Sequence, residues 1–282
     1  MLKVAVPNKG SLSEHARTML LSAGYRQRSD SKELTLVDPD HNVEFYYLRP
    51  RDIAIYVGRG DLDVGITGRD MLLDSNAAAT EIMGLGFGAS KFRFAAPASS
   101  GIDETKLDGK RIATSYAGLL GNFLAERGVQ AEIVELDGAV ESAIRLGVAD
   151  VVADVVDTGT TLRKAGLSLF GDPICTSEAV LIERNGNEAN HSAVEALITR
   201  LQSVMVAQNY CMMDYNVAED ALDATLALAP GVDGPTVSSL AKDGWYAVRA
   251  LVPRKGVHLL MDKLYDAGAR GILLTELVAC RL

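Results

Sequence analysis

Four consecutive residues, Thr158-Gly159-Thr160-Thr161, follow an apolar segment, 151–156, that is broken by an acid at Asp154. Backbone N–H groups beside a glycine can converge on an anion, and threonine hydroxyls add donors. A helix opening near Leu162 would bring the positive end of its dipole to the same place. A carboxylate suits a phosphate badly, but it accepts hydrogen bonds well from sugar hydroxyls. An acid followed by a hydroxyl-rich glycine loop therefore reads, in physical terms, as a site for a ribose 5-phosphate. A plainer account also fits: Thr158 caps a helix and Asp154 satisfies a turn. Local chemistry leaves both open.

Such a loop must be placed by a strand that ends at it and a helix that leaves it. Through about the first 180 residues, strand-like and helix-like segments alternate, the pattern of an α/β fold. KVAVP (3–7) reads as an apolar strand and NKGSL (8–12) as a glycine loop. SLSEHARTMLLSAG then reads as an amphipathic helix, capped by Ser11 or Ser13 and stopped by Gly24. TLVD (35–38) and VEFYYL (43–48) flank the turn residues DPDHN, a hairpin pattern. A weak repeat follows. Gly60, Asp63 and Val64 recur as Gly147, Asp150 and Val151, each after a short helix and before an apolar strand, and KVAVPNKG has a counterpart in RIATSYAG (111–118). Two similar lobes facing one cleft would explain it, with ligands at the carboxyl ends of their strands. A common helix-to-strand turn would explain it equally well.

ERNGNEANHS (183–192) reads as an exposed boundary loop, and 193–208 as a helix with Ala193, Leu197, Leu201 and Val204 on one face. From about residue 209 the order becomes βαββαβ, that of a ferredoxin-like unit. A unit of that size, appended to a cleft-bearing body, suggests regulation or assembly. The net charge of −9 argues against a general nucleic-acid or anionic-membrane binder. No apolar run spans a bilayer, and the first ten residues lack the apolar stretch of a secretion signal. Three scattered cysteines and four dispersed histidines have no metal-site spacing. A cytoplasmic, reduced protein is expected.

The run Glu141-x5-Gly147-x-Ala149-x2-Val152-x-Asp154-Val155-x2-Thr158-Gly159-x-Thr161-Leu162 resembles the signature of the ATP phosphoribosyltransferase family, the first enzymes of histidine biosynthesis. PNKGSL (7–12), LRPRDIAIYVGRGDLDVGITGRD (48–70) and LDGAVE (136–141) are similar to other active-site segments of that family, and the βαββαβ unit to the histidine-binding third domain of its long form. The resemblance covers essentially the whole chain. It implies transfer of the 5-phosphoribosyl group of phosphoribosyl pyrophosphate (PRPP) to N1 of ATP, with Mg²⁺ required and histidine as feedback inhibitor. It also implies a homo-oligomer, a hexamer in exchange with dimers. The implied fold is a two-lobed body like that of periplasmic binding proteins, with lobe one at 1–90 plus about 180–208, lobe two at 91–179 and a regulatory domain at 209–282.

On that resemblance Asp137, Gly138, Glu141, Asp154, Thr158, Gly159, Thr160 and Thr161 go to PRPP, with the threonine loop on the 5-phosphate. Both substrates are polyanions, so Lys9, Arg49 and Arg51 are candidates for a local positive field; read alone, the three would pass for a solvated loop. Lys9, Arg49 and Asp154 are placed at the reaction, and Gly10, Ser11, Arg51, Gly68, Asp70 and Tyr116 on the nucleotide side, where Tyr116 could stack on adenine or simply pack. Mg²⁺ is expected on pyrophosphate oxygens and water rather than on dedicated protein ligands. Asp214, Asn216, Thr236 and Ser238 are the effector candidates, although Thr236 and Ser238 also fit an ordinary polar strand face.

Two positions sit awkwardly. Asp157 adjoins the phosphate loop, so its side chain is expected to point outward, and Asn216 stands where some relatives carry an acid. Other readings stay open: two lobes round a cleft also suit a non-enzymatic binding or sensor protein, and the loop suits a phosphoribosyltransferase for another base.

Overall fold

The computed structural model describes residues 1–156, 159–186 and 190–282. Strand β1 (Leu2–Pro7) is buried at every position but Lys3, as suits a central strand covered on both faces. Helix α1 (Ser11–Ser22) begins at Ser11 itself, so neither candidate serine precedes it; Gly10, at φ +78°, makes the turn instead. β2 (Thr35–Asp38) and β3 (Val43–Leu48) form the expected antiparallel hairpin. α2 (Pro50–Arg59) has its proline in the first turn, where no amide hydrogen is needed, and stops at Gly60 in the left-handed region. Ile53, Ala54 and Val57 are its buried stripe. β4 (Val64–Gly68), α3 (Arg69–Ser75) and β5 (Ala79–Gly84) follow.

The chain then crosses to a second sheet through β6 (Ser90–Pro97), β7 (Arg111–Thr114), α4 (Ala117–Glu126), β8 (Glu132–Glu135), α5 (Ser142–Arg145), β9 (Val151–Val156), α6 (Thr160–Lys164) and β10 (Leu167–Ser177). It returns as β11 (Ala179–Arg184), antiparallel between β4 and β5. The sheet orders are β2-β3-β1-β4-β11-β5 and β10-β6-β9-β7-β8. Both contain one arrangement: parallel β3-β1-β4 flanked by antiparallel β11, and parallel β8-β7-β9 flanked by antiparallel β6.

The repeated Gly-x-x-Asp-Val now has a cause. Asp63 accepts a bond from the Lys3 amide at 2.8 Å, and Asp150 accepts one from the Arg111 amide at 3.0 Å. Each acid's own amide donates back to the carbonyl of that same residue, at 3.0 and 2.9 Å. Gly60 and Gly147 turn the chain at φ +82° and +70°. In both lobes the acid thus hooks the next parallel strand to the start of the central one. The motif is a local turn, used twice.

Asp150 also takes the Arg111 guanidinium at 2.8 Å, and this bond, the largest influence, holds its carboxyl down at about 2 against an ordinary 3.8. A lowered folded-state pKa stabilises above the unfolded value, and the contribution is lost as pH falls from about 4 toward 2. Asp150→Asn is expected to be less stable than wild type at neutral pH and to converge with it near pH 2, followed by circular dichroism. A constant gap down to pH 2 would remove Asp150 as an acid-sensitive group.

α7 (His191–Asn209) leads to β12 (Tyr210–Ala218), α8 (Leu222–Leu228), β13 (Thr236–Ser239), β14 (Trp245–Pro253), α9 (Val257–Asp266) and β15 (Arg270–Glu276), in the expected βαββαβ order. The third sheet runs β13-β14-β12-β15 with antiparallel pairings. β12 alternates strictly, and Cys211, Met213, Tyr215 and Val217 face a core shared with Val248, Ala250, Val257 and Leu264. By packing, the chain forms two compact units, residues 1–18 with 25–194 and residues 19–24 with 195–282. From Glu195 on, α7 groups with the third sheet and with residues 19–24 at the end of α1. The physical reason is at Ser203: its carbonyl takes the Cys280 amide at 2.8 Å and its hydroxyl the Arg281 Nε at 3.3 Å, so the chain end straps onto the helix. The buried stripe of α7 starts at Val194, not Ala193. Glu183 and Arg184 belong to β11, which shortens the expected boundary loop. Among the described residues no helix is long and apolar enough to cross a membrane.

Candidate active site

Glu141, Asp154, Gly159, Thr160 and Thr161 line one cavity of about 250 Å³ with Val155, Val156 and Leu162. Asp157 and Thr158 lie outside the described residues. Gly159, at φ +68°, turns the chain from the end of β9 into α6, a conformation that glycine adopts without cost. Helix first turns carry amides with no intrahelical acceptor, and here Thr160 and Thr161 supply that turn at the cavity wall. Asp154 accepts the Val155 amide at 2.8 Å. Burial is the main influence on its carboxyl and raises it; the Val155 amide lowers it, the charge of Glu141 raises it again, and Arg51 lowers it, with a net upward shift. Asp137 and Gly138 are exposed in the turn before Glu141, outside the cavity wall. That turn is strained, with Gly138 at φ +145° and Ala139 at φ +50°.

On the first lobe, Pro7 lies opposite Leu48 in the parallel β1–β3 pair, and the Asn8 amide donates to the Leu48 carbonyl at 2.8 Å. Lys9 and Arg49, each shortly beyond its strand, are exposed and leave adjacent carboxyl ends of the sheet. Gly10 and Ser11 carry the chain from there into α1.

Arg51, Gly68, Asp70 and Tyr116 are instead gathered at the junction of the two lobes, with protein partners. Arg51 donates to the Ser115 carbonyl at 2.7 Å, pairs with Asp74 at 3.2 Å and lies 4.2 Å above the Tyr116 ring. Tyr116 is buried against Phe92, at 5.3 Å between ring centres, so one face is covered by a guanidinium and the ring packs rather than opens to a base. Its hydroxyl is pushed up, first by burial and then by the Asp70 charge. Asp70, 4% exposed, exchanges two bonds with Ser177: its amide donates to the hydroxyl at 3.0 Å, and the hydroxyl donates to its carboxylate at 2.8 Å. A side chain on Gly68 would collide with that carboxylate. Asp74, Ser115 and Ser177 carry no chemical pattern in the sequence that would single them out.

Residues 49–203 match the family described as ATP phosphoribosyltransferase, and residues 207–279 match its C-terminal domain. The ATP phosphoribosyltransferase of Pseudarthrobacter chlorophenolicus is 58% identical over the full length of both chains. The chain belongs to the ATP phosphoribosyltransferase family. Its activity is transfer of the phosphoribosyl group of PRPP to ATP, the first step of histidine biosynthesis. The ATP phosphoribosyltransferase (HisG:HisZ) complex of Thermotoga maritima contains a chain that superposes with a TM-score of 0.62 at 27% identity, covering 72% of this chain and 97% of that one. A histidine kinase sensor domain similar to periplasmic binding proteins superposes with a TM-score of 0.50 at 14% identity, over 74% of this chain and 91% of that one. That second likeness concerns the fold alone.

In the segment that matches the C-terminal domain of ATP phosphoribosyltransferases, strand register aligns the four effector candidates. Thr236, Arg249 and Asp214 share one row across β13, β14 and β12; Ser238, Ala247 and Asn216 share the next. Tyr215 and Val248 face the core, so these rows lie on the opposite face. Asp214 there takes Arg249 at 2.7 Å. Nothing in the sequence singles out Arg249, because only cross-strand register brings it between Asp214 and Thr236.

Proposed function

We propose that PRPP lies on the second lobe, its 5-phosphate on the backbone amides of Gly159, Thr160 and Thr161 and on the threonine hydroxyls, that of Thr158 included. Asp154 and Glu141 take the ribose hydroxyls, and the strained Asp137–Gly138 turn shapes the approach. Lys9 and Arg49 face the pyrophosphate, and Gly10 and Ser11 lie on the nucleotide side. Arg51, Gly68, Asp70 and Tyr116 frame the nucleotide indirectly, by holding the junction between the lobes. The observation that carries this reading is the single cavity shared by Glu141, Asp154, Gly159, Thr160 and Thr161.

The adenine N1 lone pair attacks C1′ as the bond from C1′ to pyrophosphate oxygen breaks. Positive charge then develops on the ribose ring, where Asp154 faces it, and negative charge on the leaving group, where Lys9 and Arg49 face it. Alignment and fixed charge supply the acceleration, with no covalent enzyme intermediate. Among the described residues no group of three His, Cys, Asp or Glu side chains could hold a metal. The cavity offers two carboxylates, Glu141 and Asp154, which would hold a hydrated Mg²⁺ brought in with the substrate. When bound, Mg²⁺ supplies neutralisation of charge on the departing pyrophosphate.

The third-sheet unit is assigned to regulation by histidine. An amino acid's ammonium and carboxylate match the signs of Asp214 and Arg249, with Thr236 and Ser238 alongside and Asn216 in place of a second acid. The assembly is read as a homo-oligomer, dimers in exchange with hexamers, in the cytoplasm.

Alkylation at N1 changes the adenine chromophore, so absorbance with ATP, PRPP, Mg²⁺ and pyrophosphatase reports turnover directly. Turnover suppressed by L-histidine is expected, and suppression is expected to be lost in Asp214→Ala. Turnover insensitive to histidine would return residues 209–282 to a structural role.

A further inference from the structure

Arg28 lies in the polar segment between α1 and β2 and is only 7% exposed. Its guanidinium donates to three backbone carbonyls: Ser31 at 2.8 Å, Glu33 at 2.6 Å and Asn8 at 3.1 Å. The same group lies 4.1 Å above the Tyr47 ring. The Arg28 amide donates to the Tyr47 hydroxyl at 3.1 Å, which in turn donates to Gln27 at 3.1 Å. Taking a guanidinium out of water is costly, and an apolar side chain of similar volume would fill the space without that cost. What an apolar side chain could not do is fork three carbonyls together.

One of those carbonyls belongs to Asn8, whose peptide is held from both sides. Its amide donates to Leu48 at 2.8 Å, and its carbonyl accepts from Arg28. Lys9 follows Asn8 directly, and Arg49 follows Leu48. Beyond Lys9 comes Gly10 at φ +78°, with open space where a Cβ would stand. Gly10 therefore contributes no packing to the turn, and the Asn8 peptide is its anchor.

We propose that Arg28 is a positioning residue for Lys9. By fixing the Asn8 peptide, it sets the direction in which the Lys9 ammonium leaves β1 beside Arg49, and it touches no substrate itself. The proposal rests on Lys9 facing the pyrophosphate.

A double-mutant cycle on the full-length enzyme tests it, with kcat and the KM for PRPP measured for Arg28→Met, Lys9→Ala and the pair. Misplacing a contacting group by about 1 Å costs up to about a hundredfold, so Arg28→Met is expected to lower kcat/KM about tenfold or more, with Lys9→Ala at least as damaging. The double variant is expected to match Lys9→Ala within about twofold, because interacting sites are not additive. Arg28→Lys keeps the charge but offers one nitrogen where Arg28 uses two, Nη1 for Ser31 and Glu33 and Nη2 for Asn8; it is expected to be nearly as defective, and it replaces Arg28→Met in the cycle if that variant does not fold. A purely structural Arg28 would show a lower melting temperature and a further tenfold loss on top of Lys9→Ala, which overturns the proposal. Full activity in Lys9→Ala would instead overturn the placement of Lys9, a distinguishable result.

Discussion

Asp154→Asn is expected to lower the rate of phosphoribosyl transfer by about 10²–10³-fold, the usual loss when one preorganised charge is removed from a transition state. The same variant is expected to melt no lower than wild type. The rate loss rests on the proposed place of Asp154 beside the ribose, in the cavity it shares with Gly159, Thr160 and Thr161; the stability follows from its carboxyl, whose pKa is raised, first of all by burial. A raised folded-state pKa on an acid means that its ionised form opposes folding, so the opposition is present above the folded value and relieved as pH falls through it. Asparagine keeps the size and removes the charge, and with it both the opposition and the electrostatic aid to the developing ribose cation. Function placed at a cost in stability is the expected signature of an active-site group. The acid limb of the wild-type rate profile should likewise lie above the ordinary carboxylate range and vanish in the variant. Near-wild-type turnover in Asp154→Asn would reduce Asp154 to a turn residue.

Two glycines of one helix are expected to respond to alanine with opposite signs. A glycine inside a helix is normally about 0.5–1 kcal/mol worse than alanine, and Gly121→Ala should recover that amount, since the added carbon meets only Ile133 Cδ1 at 3.7 Å. Gly118→Ala should instead destabilise by about 1–3 kcal/mol. Its Cβ would press on the Asp74 carbonyl oxygen and come within 3.1 Å of Asn76 Nδ2. Both partners are committed: Asp74 caps the Leu119 amide at 3.1 Å, and Asn76 holds Asn122 at 2.8 Å. The carbonyl oxygen is backbone and cannot swing aside. The strain falls on the α3–α4 seam that joins the lobes, beside the Arg51–Ser115 contact, so turnover should fall together with stability. Chemical denaturation of the two variants provides the measurement. Equal stabilisation by both would mean that the seam yields freely.

The alternating elements, the βαββαβ order, the hairpin at 35–48 and the duplicated Gly-x-x-Asp-Val were all legible from the chain. Each depends on residues within a few positions of one another: periodic burial, turn formers and left-handed glycines. That Asp154, Gly159, Thr160 and Thr161 meet at one cavity follows from the same short range, since a strand end, a glycine and hydroxyls lie close together in the chain. The fate of the cations was not legible. Lys9, Arg28, Arg49 and Arg51 look alike in the sequence, yet Lys9 and Arg49 are exposed at strand ends, Arg51 bridges to Ser115 of the other lobe, and Arg28 is buried among carbonyls.

Residue type and spacing by themselves determined the α/β alternation and the duplication, because those are short-range consequences of backbone geometry and hydrophobic period. Only the tertiary structure decided that β11 returns to lie between β4 and β5, that α7 goes with the third sheet, and that Tyr116 is covered by Arg51. Those outcomes turn on which distant surfaces meet. A buried charge takes its role from partners far away in the chain, such as Ser177 beside Asp70, and no local pattern encodes them.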